Sequence, residues 1–377
     1  MKQLSILSFL AYIGLTANLV AQQPLDGLKV IRAKTNSVDI RIDGKLLTNA
    51  WRIVPSEKPD IFNADKNELT FITDIDSITV KVNFDETYDF IILLNEKDSA
   101  WTQVKRAPDY LARLKKAKDY NFKDKRFIPK FTYQSADYPY LKKIKKQFCL
   151  DSIAGYGNET LKIINLMRWV HNTIRHDGGS MNPDLKNTFD IIEICKTENR
   201  GVNCRMMAQV LNECYLAMGF KSRYITCMPK DSVFDDCHVI NMVWSNDLKK
   251  WLYMDPTNDA YVMNEKGELL SIEEVRERLI NGKPLILNPD ANWNNKISKT
   301  KEDYLERYMA KNLYRLETPV RSEYDTETYN ESKTVESVEL LPLDALQQTP
   351  QKVIISNNWI NYKTNNPALF WAEPDKK

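Results

Sequence analysis

Glycine is scarce, with 11 in 377 residues. Neither GxGxxG nor the phosphate-loop pattern GxxxxGK followed by Ser or Thr occurs, so nucleotide-dependent chemistry is not expected. Only three histidines are present, and no CxxC or HxxxH spacing, so a metal centre is not indicated and no cofactor is called for. Charge of one sign is also lacking: 53 Lys and Arg face 51 Asp and Glu, a net charge of +2. The runs LARLKKAKDY and YLKKIKKQF are locally basic but too short to track a phosphate backbone, which excludes nucleic acid as the expected partner. Beyond the first residues no apolar run is long enough to span a bilayer.

What is present is ample core material. Apolar residues make up 43% of the chain and charged ones 28%, which excludes disorder and small disulfide scaffolds. Residues 1–21, MKQLSILSFLAYIGLTANLVA, read as a signal peptide: one Lys, an apolar run from Leu4 to Leu15, then mixed residues to a cleavage point near Ala21. With no cysteine at that point to carry a lipid, no membrane anchor is expected after cleavage, and the protein is expected to be periplasmic or secreted. In that compartment the six cysteines can oxidise; Cys227 and Cys237, at the ends of neighbouring strand-like runs, are the first pair to consider as a disulfide.

The organisation expected is α+β. Residues 22–108 carry alternating β-branched and aromatic runs (KVIRAK, VDIRI, ELTFITDI, ITVKVNF, DFIILLN) with turns such as Asp43-Gly44, a pattern for an N-terminal all-β, sandwich-like domain. Residues 109–154 show no sustained period and read as a connecting region. A core follows over 155–290. Ile163, Ile164, Met167, Val170, His171 and Ile174 fall on one helical face that Asp177-Gly178-Gly179 should end, and a second helix runs from Cys204 to Met218. Three strand-like runs, SRYITCM, CHVINMVW and KWLYMD, and a charged helix near Ile272–Ile280 complete it. Residues 291–377 form a C-terminal extension expected to pack on the body through Phe370 and Trp371.

Three residues stand out chemically. Cys204 opens a helix, where unpaired N–H groups and the positive end of the helix dipole favour a thiolate and could stabilise an acyl oxyanion. His238 opens a β run, a poor place for a polar ring without a partner. Asp255, held extended by Pro256, ends the next run. A hairpin turning at Ser245–Leu248 sets His238 directly opposite Asp255, where a carboxylate would fix the imidazole tautomer. The other readings are bland: Cys204 as a small core residue, Asp255 as a turn residue, His171 as a buried structural residue, His176 as a cap at its helix end and Cys214 as core.

The segments GVNCRMMAQVLNECYLAMGFKSRYI, CHVINMVW and KKWLYMDPTNDAYV together resemble the core of the transglutaminase-like superfamily, a branch of the papain-like folds. LMRWVHNTI resembles the helix that precedes the nucleophile helix. RIDGKLLTNAW and YDFIILLNEKDSAWTQ resemble β-domains attached to such cores in exported Bacteroidetes-type proteins. The resemblance implies helices packed on an antiparallel sheet, with Cys204 as nucleophile, His238 as general base and acid, and Asp255 as the orienting carboxylate. No acidic cluster suggests a calcium site, and the second oxyanion donor is unassigned, Asn203, Gln209 and several tryptophans being candidates.

The expected function is thus that of an exported thiol enzyme acting on an amide bond of a peptide or protein, or of a peptidoglycan-related substrate, through a thioester. Hydrolysis is favoured over transfer to an amine, because water is in excess. Two other classes stay open: a glycan- or peptide-binding module on an inactive core, with Trp51 and Trp101 as platforms or as β-domain core, and an envelope assembly protein.

Overall fold

The computed structural model describes residues 27–374 except 65, 85, 107, 232, 233, 235, 346, 347 and 357. The leader expected at 1–21 lies outside the described residues. The chain divides after Pro108 into two compact units.

The first unit is built from β1 (Lys29–Ala33), β2 (Ser37–Ile42), β3 (Lys45–Arg52), β4 (Ser56–Ala64), β5 (Glu68–Ile72), β6 (Ser77–Lys81), β7 (Thr87–Leu94) and β8 (Asp98–Arg106). They form two four-stranded sheets, β1-β7-β8-β4 and β3-β2-β5-β6. Alternation does the work: Val38 and Ile40 of β2, and Ile78 and Val80 of β6, point into one core shared with Phe71, Phe90 and Val104. Asp43 and Gly44 both take positive φ, 50° and 76°, the two-residue turn that matches strand twist between β2 and β3. Trp51 packs edge-on against Phe62 with ring centroids 5.3 Å apart. Trp101 donates its indole N–H to Asp89 at 2.7 Å.

In the second unit, residues 109–154 do more than connect. They carry α1 (Tyr110–Lys115), α2 (Pro139–Gln147) and α3 (Leu150–Ala154), and a short strand β9 (Thr132–Tyr133) paired with Arg321–Ser322. Leu114, Leu141, Ile144 and Leu150 are buried; Lys-rich flanks mask these sparse apolar positions in the sequence. Next come α4 (Glu159–Thr173), α5 (Thr188–Thr197) and α6 (Cys204–Ala217), then β10 (Ser222–Met228), β11 (His238–Ser245) and β12 (Lys250–Met254). A helix α7 (Ile272–Ile280) opens with a capping box in which Ser271 and Glu274 satisfy each other's backbone N–H groups.

Strands β12, β11 and β10 form one side of a seven-stranded sheet, continued by Arg315–Pro319, Val335–Leu340, Trp359–Thr364 and Lys352–Ser356. The C-terminal extension therefore supplies four of the seven strands rather than merely lying on the body. One pair within it, Val335–Leu340 with Trp359–Thr364, is parallel, so the sheet departs from a purely antiparallel one. Apolar cores lie on both faces. On one, α4, α5 and α6 pack Met167, Val170, Ile191 and Val210 against Val243 and Leu252. On the other, α7 and a π-helical stretch at Glu302–Met309 pack Val275, Leu305 and Met309 against Ile225, Ile240 and Met242. Because β10 and β11 are covered on both sides, they read as near-continuous apolar runs. Phe370 and Trp371 are buried in the second core. Among the described residues no helix is long and apolar enough to cross a membrane.

Candidate active site

Asn203 caps α6 by accepting the Met206 N–H on its side chain at 3.2 Å, which places Cys204 at the first helical position. There the backbone N–H groups have no intrahelical acceptors, and the dipole favours negative charge. The next residue anchors the helix mouth: Arg205 donates to Glu327 at 2.6 Å and to Thr226 at 2.9 Å, while Tyr224 donates to the same Glu327 oxygen at 2.5 Å. Glu327 is buried, so this ion pair holds the start of α6 to β10 from within.

The three residues singled out in the sequence meet. His238 and Asp255 are buried, and His238 Nε2 lies 2.7 Å from Asp255 Oδ2. The carboxylate can only accept, so Nε2 carries the proton, leaving Nδ1 for the hydrogen bond His238 shares with the Cys204 thiol. The register differs from the expected one by two residues. Asn241 pairs with Met254 and Ser245 with Lys250, so Asp255 falls opposite Ile240 and diagonal to His238. A slip of two preserves the face, which is why the pair still forms. Beyond it, Asp255 Oδ1 accepts the backbone N–H of Thr257 at 2.8 Å, and Oδ2 accepts the Asn258 side chain at 2.9 Å.

The expected Cys227–Cys237 disulfide is absent; all six cysteines are free. Cys227 lies opposite His238 in the β10–β11 ladder, so the neighbouring Cys237 projects to the other side of the sheet. Two of the candidates for a second oxyanion donor are engaged elsewhere. Asn203 donates its amide to Asn182 at 2.6 Å while capping, and Gln209 is buried with its amide on Glu213 at 2.8 Å.

His176, read from the sequence as a helix cap, lies beside the thiol instead. Helix α4 ends at Thr173, and His176 lies beyond it, bridged in parallel to Val202, which sets its ring beside Cys204 with a hydrogen bond to the thiol. Gly201 permits this approach: a Cβ there would lie 2.5 Å from the Arg175 carbonyl oxygen and 2.8 Å from Asp177 Cβ. His176 Nδ1 accepts the Trp293 indole N–H at 2.9 Å, so a neutral ring carries its proton on Nε2. Asn294 clamps the backbone, accepting the His176 N–H at 2.7 Å and donating to its carbonyl at 2.9 Å. His171 is buried between the Pro256 carbonyl, 3.0 Å from Nδ1, and Asn292, 3.1 Å from Nε2, tying α4 to the turn after Asp255.

The electrostatics follow from these contacts. Burial pushes the Cys204 thiol up, but hydrogen bonds from His176 and His238, the His238 charge and the Val239 N–H more than offset it, lowering the thiol to about 6. Burial would lower His238, yet the Asp255 charge and hydrogen bond, with the thiolate beyond, hold it up to about 10. Burial would raise Asp255, and the His238 charge together with hydrogen bonds from His238, Tyr304 and Asn258 instead holds it at about 2. Between roughly pH 6 and 10 the stable form is a thiolate beside an imidazolium, two groups that titrate as a pair. Among the described residues no cluster of His, Cys, Asp or Glu is arranged to hold a metal ion.

Residues 146–256 match the family model of the transglutaminase-like superfamily. Among solved structures, a protein from Cytophaga hutchinsonii provisionally assigned as a cysteine protease is 20% identical over 34% of this chain and 40% of its own, with a TM-score of 0.26. Red sea bream transglutaminase is 13% identical over 62% of this chain and 49% of its own, with a TM-score of 0.23. The chain thus spans less than half the length of either protein. No curated protein matches. On the family match, which encloses Cys204, His238, Asp255 and His176, residues 146–256 are a transglutaminase-like domain.

Proposed function

We propose that this protein is a thiol enzyme that opens amide bonds through Cys204, His238 and Asp255. The observation that carries the reading is the buried relay in which Asp255 holds one nitrogen of His238 at 2.7 Å while the other nitrogen shares a hydrogen bond with the Cys204 thiol. The thiolate attacks the amide carbonyl carbon and the carbonyl π electrons move to oxygen. The helix-start N–H of Cys204 and the Nε2–H of His176 are the donors for that oxyanion. On collapse the C–N bond breaks, His238 Nδ1 gives its proton to the leaving nitrogen, and a thioester remains on Cys204. Neutral His238 then takes a proton from water, the resulting hydroxide attacks the thioester, and the thiolate leaves with the acid released.

Water is the acceptor we favour over an amine, which makes the protein a protease, amidase or deamidase rather than a cross-linking enzyme. Peptides, proteins or peptidoglycan-related amides are the substrates, met in the periplasm or outside the cell after removal of residues 1–21. The binding-module reading loses support, since Trp51 packs on Phe62 and the Trp101 indole is tied to Asp89. Incubation with a mixed peptide pool should release ammonia or amine with the native protein and none with Cys204→Ser. Incorporation of a labelled amine without any release would overturn hydrolysis, and absence of both reactions would overturn the enzyme reading.

A further inference from the structure

We propose that Tyr304, with Tyr253 behind it, is a positioning residue for the His238–Asp255 pair, so that a segment outside the matched domain completes the working site. The inference rests on the thiol-enzyme reading above. Tyr304 lies in the π-helical stretch Glu302–Met309, a rare winding that recurs at functional sites, and beyond residues 146–256. Its hydroxyl donates to Asp255 Oδ2 at 2.6 Å, and its oxygen lies 2.5 Å from that of Tyr253. Since the Tyr304 proton goes to the carboxylate, Tyr253 must be the donor in the second contact, giving a directed chain from Tyr253 through Tyr304 to Asp255. Both phenols are buried, and burial raises both well above the ordinary value, so both keep their protons.

The other contacts show why this chain positions rather than merely satisfies. Thr257 and Asn258, which bond both oxygens of Asp255, sit on the same turn and move with it. Of the donors to Oδ2, only His238 and Tyr304 come from elsewhere in the chain. Without the Tyr304 hydroxyl, Oδ2 still has two donors, but nothing besides the histidine it must orient ties it to the rest of the unit. Four residues on in the same stretch, Tyr308 sets its ring edge-on to the His238 imidazole, with centroids 5.2 Å apart.

Groups facing the pair or the Cys204 thiol are His176 from the segment after α4, Cys204 from α6, Cys227 from β10, Tyr253 from β12, Asp236 and Cys237 just before β11 on the Cys204 side, and Tyr304 and Tyr308. Burial raises the two other thiols and the three phenols, so none of them titrates ahead of Cys204, and His176 and Asp236 are the same in every variant. Asp259, which burial raises to about 6, is the same in every variant.

The test is the rate of iodoacetamide alkylation at Cys204 from pH 5 to 10 in the full protein, Tyr304→Phe and Tyr253→Phe, each checked for folding by circular dichroism. As the imidazole loosens, the thiolate loses its partner. Tyr304→Phe should therefore slow labelling at pH 6 about fivefold, a midpoint raised by somewhat under one unit, with rates converging above pH 9. Tyr253→Phe should shift the midpoint the same way by less. A profile identical to the native one in the folded variants, or a midpoint moved down, overturns the proposal. If Tyr304→Phe does not fold, the direction of the Tyr253→Phe shift decides. Failure of the underlying reading looks different: in the native protein Cys204 would not outpace the other cysteines at pH 6.

Discussion

Cys204 and Cys214 stand ten residues apart on one helix and live in opposite chemical worlds. At the mouth of α6, Cys204 meets unpaired N–H groups, two imidazoles and the Val239 amide, and its thiol falls to about 6. In the last turn of the helix Cys214 is sealed among apolar side chains, and burial with the nearby Glu213 charge drives its thiol well above the ordinary value. The residue type is the same. Position along the helix, and what the neighbouring strand brings up to it, decides which sulfur is a nucleophile.

The largest expected break in this contrast comes from His238→Ala. Without the imidazolium the Cys204 thiol returns toward its ordinary value, and alkylation at pH 6 should fall on the order of 100-fold, read as adduct per cysteine by mass spectrometry. Gly201→Ala should act more mildly. The added Cβ forces apart residues 175–177 and 200–202, so His176 withdraws; labelling should drop by a small factor, with a stability cost of about 1–3 kcal/mol in urea unfolding. Cys214→Ala should do least to reactivity. The Cys204 rate should stay within about twofold of native while stability falls by about 1 kcal/mol, the signature of lost packing alone.

Much of this contrast was legible beforehand. An Asn before Cys204 and a helical period after it mark a helix start; Pro256 marks Asp255 as a strand end; and two apolar runs joined by polar residues mark a hairpin. The expected helices spanning Ile163–Ile174, Cys204–Met218 and Ile272–Ile280 and the three strands after Cys204 are present within a few residues of those bounds. The exact register was not legible, because the turn can slip by two residues without moving any side chain to the wrong face. Nor was His176, which reaches Cys204 only through a bridge between segments 26 residues apart, at His176 and Val202. Tyr304 was hidden for a related reason: a π-helical winding breaks the 3.6-residue period by which helical faces are read. The disulfide expectation failed because nearness in sequence says nothing of the sheet face each side chain takes.

The most direct test is the pH dependence of alkylation resolved for each cysteine of the native protein. Cys204 should label with a midpoint near pH 6 and outpace the other five throughout the neutral range, while Cys214 stays unlabelled until the protein unfolds. A Cys204 midpoint at the ordinary thiol value near 8.5, or labelling no faster than at the exposed Cys149, would contradict the account.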